Sequence, residues 1–277
     1  MRLRIRHETT YRYETPAARA IEILRLTPRG HDSQFVVGWR IEIDRDCRLV
    51  ASHDPFGNAM HSFTVEGPLD GLVIVAEGEV ETQDTNGIIS GQVERMPPEV
   101  FLRETPLTAA DAAIQALAGE ATMRGEGDPP RTLHEIMGVI GVRMACEDGA
   151  PATGATAVEA LAAGRGICRD FAHVFIAAAR HRGIPARYVS GYLFRPDGAD
   201  GPKPGGAAHA WAEALVPRLG WVAFDPSNGI SATDAHVRVA VGLDYLGAAP
   251  VRGTRYGGSG ETVAVRVAVG RTGRAIA

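Results

Sequence analysis

The run 164–185 leaves the chain few choices. Phe171, Ala172, Phe175 and Ala179 follow Cys168 at spacings of three, four, seven and eleven, the period of one helix face. Gly164 and Gly166 allow a tight bend just before it. Arg180, His181 and Arg182 put cations in the last turn, where they complement the helix dipole, and Gly183 and Pro185 stop the helix. The spacing predicts a helix of about four turns, with Cys168 in its first turn at the N-terminal end of a buried stripe.

A cysteine in that place has a chemical reading. Unpaired N–H groups and the positive end of the dipole favour a thiolate. Such sites can bring a thiol pKa from about 8.5 down to between about 3.5 and 7.5. The alternative is a small core residue, a common fate of free cysteines.

Two later segments supply partners. Ala208-His209-Ala210-Trp211-Ala212-Glu213 alternates strictly, with His209, Trp211, Glu213 and Leu215 on one face. Trp221, Ala223 and Asp225 share a face of the next segment. Pro217-Arg218-Leu219-Gly220 between them is turn chemistry, so the two form a hairpin. Parity then matters. Val216 opposite Trp221 would put His209 and Asp225 on opposite faces, whereas Leu215 opposite Trp221 makes them diagonal neighbours on one face. A contact between them requires a loop of odd length or a bulge.

A cysteine on a helix, then His-Ala-Trp-Ala-Glu, then Phe224-Asp225-Pro226 resembles the transglutaminase-like cysteine protease superfamily. Within it, the chain is most similar to the bacterial branch with a β-rich N-terminal domain. Leu3-Arg4-Ile5-Arg6-His7-Glu8-Thr9-Thr10-Tyr11-Arg12-Tyr13 and Asp234-Ala235-His236-Val237-Arg238-Val239-Ala240 share in the resemblance. It implies that Cys168 is the nucleophile, His209 the general base and acid, and Asp225 the orienting carboxylate. Animal transglutaminases stabilise the oxyanion with a tryptophan upstream of the cysteine. Here Trp39, in the β region, is the only tryptophan before Cys168, which favours hydrolysis and leaves the second oxyanion donor unassigned. The resemblance therefore implies a thiol hydrolase acting on a peptide or isopeptide amide. The other readings are a protein-glutamine acyltransferase and a non-catalytic binding module. A degenerate module should have lost a member of the set, and Cys168, His209 and Asp225 all stand.

The expected fold is α+β: an antiparallel β-sandwich-like domain over 1–85, then a papain-like, transglutaminase-core domain over 86–277. Leu3, Ile5, Thr9, Tyr11 and Tyr13 alternate with arginines, read as a solvated strand face and not an anion site. Val37, Trp39, Ile41 and Ile43 form a second strand and 72–80 a third, with a turn at Asp54-Pro55-Phe56-Gly57-Asn58. Threonines three before an acid, Thr108, Thr132 and Thr156, predict helices over about 108–121, 132–145 and 156–163. A strand follows over 186–194, and 196–206 is a polar loop bordering the site. Val263, Val265, Val267 and Val269 form a closing strand over 261–269 that can pair with either domain.

Trp211 is a candidate cleft wall, and so is Trp221. Asp170 is a candidate substrate contact, more naturally a cap near the helix start. His173 lies about 140° round the helix from Cys168. His134 and His236 lack a comparable context. With 277 residues, 45% of them hydrophobic, and a net charge of −4, the chain reads as a soluble globular protein, not a nucleic-acid binder. Cys47, Cys146 and Cys168 have neither disulfide nor zinc spacing, so a reducing, cytoplasmic setting is expected. Charge alternation from Arg2 does not fit a signal peptide, and no apolar run approaches the roughly 20 residues of a membrane span. No metal motif or phosphate loop occurs, so no cofactor is expected; the expected partner is a peptide or protein substrate.

Overall fold

The structure, a computed structural model, describes residues 1–147, 154–196 and 207–272. The chain begins with strands β1 (Arg2–Thr27), β2 (Gln34–Ile43), β3 (Val50–His53), β4 (Ala59–Thr82) and β5 (Ile88–Ile89). Helices α1 (Ala112–Arg124) and α2 (Pro129–Arg143) follow, then β6 (Ala145–Cys146), α3 (Ala157–Ala163), β7 (Arg165–Gly166) and α4 (Cys168–His181). Next come β8 (Ala186–Leu193), β9 (Ala208–Val216), β10 (Gly220–Asp225), β11 (Ile230–Ser231) and β12 (His236–Gly242). Helix α5 (Tyr245–Ala248), β13 (Val251–Tyr256) and β14 (Ser259–Arg271) end the described chain. The class is α+β, strand-rich, as the patterning implies.

The first sheet runs β13-β1-β4-β2, with β14 on β1 and β3 on β4. Its two long strands change partners along their length. The first half of β1 pairs β14 and the second half β13; β4 takes β3 first and β2 afterwards. The β1–β4 register shifts between Arg12 and Arg19, and such irregularities bend strands. One core collects Leu24, Phe63 and Val65 from one half and Leu72, Ile74 and Ala76 from the other. The sheet therefore folds over itself into a sandwich. Its arginine face is solvated and paired across strands: Arg2 with Glu79 at 2.7 Å, Arg6 with Glu77 at 2.6 Å, and Arg40 with Glu77. Exposed pairs of this kind stabilise little. The closing strand, open in the sequence reading, pairs β1 from Leu3↔Arg271 to Thr15↔Ser259.

The second sheet is antiparallel, in the order β11-β10-β9-β8-β12, with β5 beside β10. Helix α4 packs on β8 and β9 and is covered by α1, α2 and α3. Every residue from Arg169 to Arg180 is buried, so the expected single stripe is in fact a core helix. Two helix starts differ from the expectation. The side chain of Asp111 accepts from the Ile114 N–H and starts α1; that of Asp128, followed by two prolines, starts α2. Thr108 is instead a buried partner of Arg180 (2.8 Å), and Thr132 lies inside α2. The Thr156–Glu159 capping box of α3 is present.

Leu3, Ile5 and Val80 of the first sheet join the core of the helices. Two amide side chains complete the junction. Gln34 accepts from the Arg238 N–H and donates to the Arg238 carbonyl, both at 2.8 Å. Asn58 does the same at Val241, at 2.8 and 2.7 Å. Each imitates a backbone unit and satisfies the outer edge of β12.

Candidate active site

Cys168 is the first residue of α4, and Ile167 is its N-cap. Asp170 reaches back to accept from the Ile167 N–H at 3.0 Å and meets Arg169 at 3.4 Å. It is buried and engaged in this cap, so its role here is to fix the helix start.

His209 comes from β9 and Asp225 ends β10. The three-residue turn 217–219, with left-handed backbone at Arg218 and at Gly220 just after it (φ 70° and 82°), sets Leu215 opposite Trp221. That odd register brings the imidazole and the carboxylate together: His209 Nε2 lies 2.7 Å from Asp225 Oδ2. With Nε2 so engaged, Nδ1 is the nitrogen not bonded to Asp225, and Cys168 lines the same cleft as the ring. Burial disfavours a charged ring, but the bonds to Asp225 and Cys168 outweigh it and raise the His209 pKa to about 10. Burial likewise opposes the Asp225 carboxylate, yet its donors, His209 first, hold it well below the usual range.

Those donors include two residues that the sequence reading passed over. Asn228 Nδ2 lies 2.6 Å from Asp225 Oδ2, and its N–H joins the Ser227 hydroxyl at Oδ1. His236 Nε2 reaches Oδ2 at 3.1 Å. The Thr233 N–H donates to His236 Nδ1 at 3.1 Å. The neutral ring must therefore carry its proton on Nε2 and donate it to Asp225. A signal existed for each: Asn228 sits in the turn just after Asp225, and His236 lies in a segment that carries the resemblance. The donor atoms of His209, Asp225 and His236 lie within 4.8 Å of one another, a spacing a metal could use. The 2.7 and 3.1 Å contacts are N–H to carboxylate bonds, so these groups satisfy one another.

Trp211 stands behind the site. It is 1% exposed, stacks on His209 (6.2 Å, 30°) and meets His236 edge-on at 5.3 Å. It supports the rings from beneath and does not wall the cleft. Gly191 faces His209 across β8 and β9; a Cβ there would lie 2.6 Å from the Trp211 ring. Trp221 packs under Arg187 at 3.8 Å. Glu213, wholly buried, is clamped by Arg187 and Arg238 at 2.6 Å each. Burial opposes its charge, but Arg238 and Arg187 prevail and lower its pKa to about 2.

Cys168 and His209 open onto a cleft of about 320 Å³. Tyr188, Tyr192 and Tyr245 face it from the second half of the chain, and Tyr11, Val251, Val263 and Val265 from the first sheet. The polar loop expected beside it falls at 197–206, outside the described residues.

Residues 3–81 match the bacterial transglutaminase-like N-terminal region, and 115–226 the transglutaminase-like superfamily. An uncharacterized protein of Mycobacterium leprae is 30% identical over 272 residues, 94% of this chain and 95% of that one. A protein-glutamine gamma-glutamyltransferase of Pseudomonas aeruginosa is 34% identical over 121 residues, 39% of this chain and 18% of that one. A proposed cysteine protease of Cytophaga hutchinsonii shares the fold (TM-score 0.74, 18% identity, 99% of this chain, 92% of that chain). With both regions matched and a relative aligned along its length, the chain belongs to the transglutaminase-like superfamily and carries the N-terminal region of its bacterial members.

Proposed function

We propose that the protein is a thiol hydrolase that cleaves a peptide or isopeptide amide through a thioester on Cys168. The observation that carries this reading is His209 bonded to Asp225 through Nε2 in a cleft that Cys168 also lines. Asp225 fixes the tautomer and supports the imidazolium; His209 holds the thiol proton. The sulfur attacks the amide carbon, and His209 gives its proton to the departing amine. Water then attacks the thioester, returns a proton through His209 and releases the acid.

The Cys168 N–H, at the start of α4, supplies one oxyanion donor. For the second we assign the Tyr188 hydroxyl, which shares the cleft with Cys168. Water is favoured as acceptor because the cleft is open: Val263 and Val265 remain 47% and 45% exposed.

The test is a library of peptide and γ-glutamyl amides, read with and without excess primary amine. Free acid as the main product, lost in Cys168→Ala, supports the reading. Predominant amide product makes the protein an acyltransferase, and turnover by Cys168→Ala overturns the mechanism.

A further inference from the structure

We infer that the N-terminal sheet is the specificity wall of the cleft and that the acyl group brought to Cys168 is bulky, apolar and uncharged. This rests on Cys168 being the nucleophile and goes on to name what it accepts.

The β1–β14 register builds the wall. Tyr11 stands opposite Val263, Thr9 opposite Val265 and His7 opposite Val267, and opposed residues share a face. All these except Val267 line the cleft. Along β14 the valine face begins in the core, where Val267 and Val269 pack against the helices. The same face continues past that core. Val263 and Val265 are left about half exposed, at the mouth of a cleft with a cysteine on its floor. Among the described residues these two neighbouring valines stay half exposed, and an apolar ligand would cover them.

The imidazole, serine and charged groups that line the cleft beside the tyrosines are already engaged within the protein. His7 meets the Tyr192 hydroxyl at 3.1 Å and Thr9 at 3.2 Å, and burial keeps it neutral. Ser190 donates to the Ala248 carbonyl at 2.7 Å. The two cations are balanced as well: Arg25 by Asp54 at 2.9 Å, and Arg169 by Asp170 while stacked on Tyr245 at 5.0 Å. What remains for a ligand is tyrosine and aliphatic surface. At about 320 Å³ the cleft is at the small end of ligand sites, which run from about 300 to 1,000 Å³. It suits one or two residues of an extended substrate.

Affinity labels test this on the full chain without a known substrate. N-acetyl-phenylalanyl, -glutamyl and -lysyl chloromethyl ketones are each compared with iodoacetamide on the same protein, and Cys168 alkylation is followed by mass spectrometry. The phenylalanyl label should lead both charged labels by about tenfold or more, the scale on which apolar pockets discriminate. In Val263→Asp and Val265→Asp, at half-exposed positions, that lead should shrink to about twofold; Val263→Thr, close in shape, checks that the fold is kept. A glutamyl label that equals or beats the phenylalanyl one would overturn the inference in favour of the arginines. An undiminished lead in both Asp variants would remove the N-terminal sheet from it. If iodoacetamide itself alkylates Cys168 no faster than Cys47, the nucleophile reading fails, and the inference with it.

Discussion

His236 donates its Nε2 proton to Oδ2 of Asp225, the same oxygen that His209 engages. A buried carboxylate held from two sides cannot swing, so the His209 imidazole bonded to it is aimed from behind. His236→Ala should lower kcat by about tenfold to a hundredfold with little change in KM, the scale known for partners one step behind a reacting ring. His236→Gln can present an amide N–H at the same point and should recover most of the rate. Equal losses in both variants, with matching falls in stability, would reduce His236 to a packing residue.

His209 should stay protonated far above the ordinary histidine range. Its folded pKa is raised to about 10, so its stabilisation is complete below about 6.5 and is lost as pH rises through about 10. The ring Cε1–H resonance should hold its charged position through neutral pH and move only near pH 10. Cys168→Ala removes one partner that supports the charge, and the midpoint should fall.

Glu213 to Ala should be among the most damaging changes outside the cleft. Arg187 retains Glu94 at 2.8 Å, but Arg238, 8% exposed, loses its carboxylate. Breaking a buried pair from one side costs about 3–5 kcal/mol, readable by urea denaturation. In the intact protein the Glu213 pKa is about 2. Its contribution is therefore present above the usual carboxylate range and is lost only as pH falls through about 2.

Tyr188→Phe tests the second oxyanion donor. Loss of one such donor costs about 10²–10³ in kcat. Iodoacetamide, which forms no oxyanion, should alkylate Cys168 in the variant at close to its original rate. A kcat within a few-fold of the parent would assign the donor elsewhere.

Local pattern made a good part of this legible. The Cys168 helix, the Thr156–Glu159 box and the alternating valines of β14 each depend on neighbours a few residues apart. The hairpin parity was readable as a condition, since only one register lets His209 meet Asp225. Competition between adjacent signals misled the reading of α1 and α2: Asp111 and Asp128 outcompete Thr108 and Thr132 because they stand where the N–H groups are free. The cleft wall was hidden for another reason. Tyr11 meets Val263 across 252 positions of the chain, and no periodicity encodes such a distance.

Gln34 and Asn58 have a consequence for cutting the protein apart. A fragment starting after β4 would leave β12 with bare N–H and C=O groups at Arg238 and Val241, along an edge built of His236-Val237-Arg238-Val239-Ala240-Val241. An uncovered strand of that composition recruits further strands. The N-terminal sheet thus shields an edge of its neighbour, and the second half made alone should self-associate.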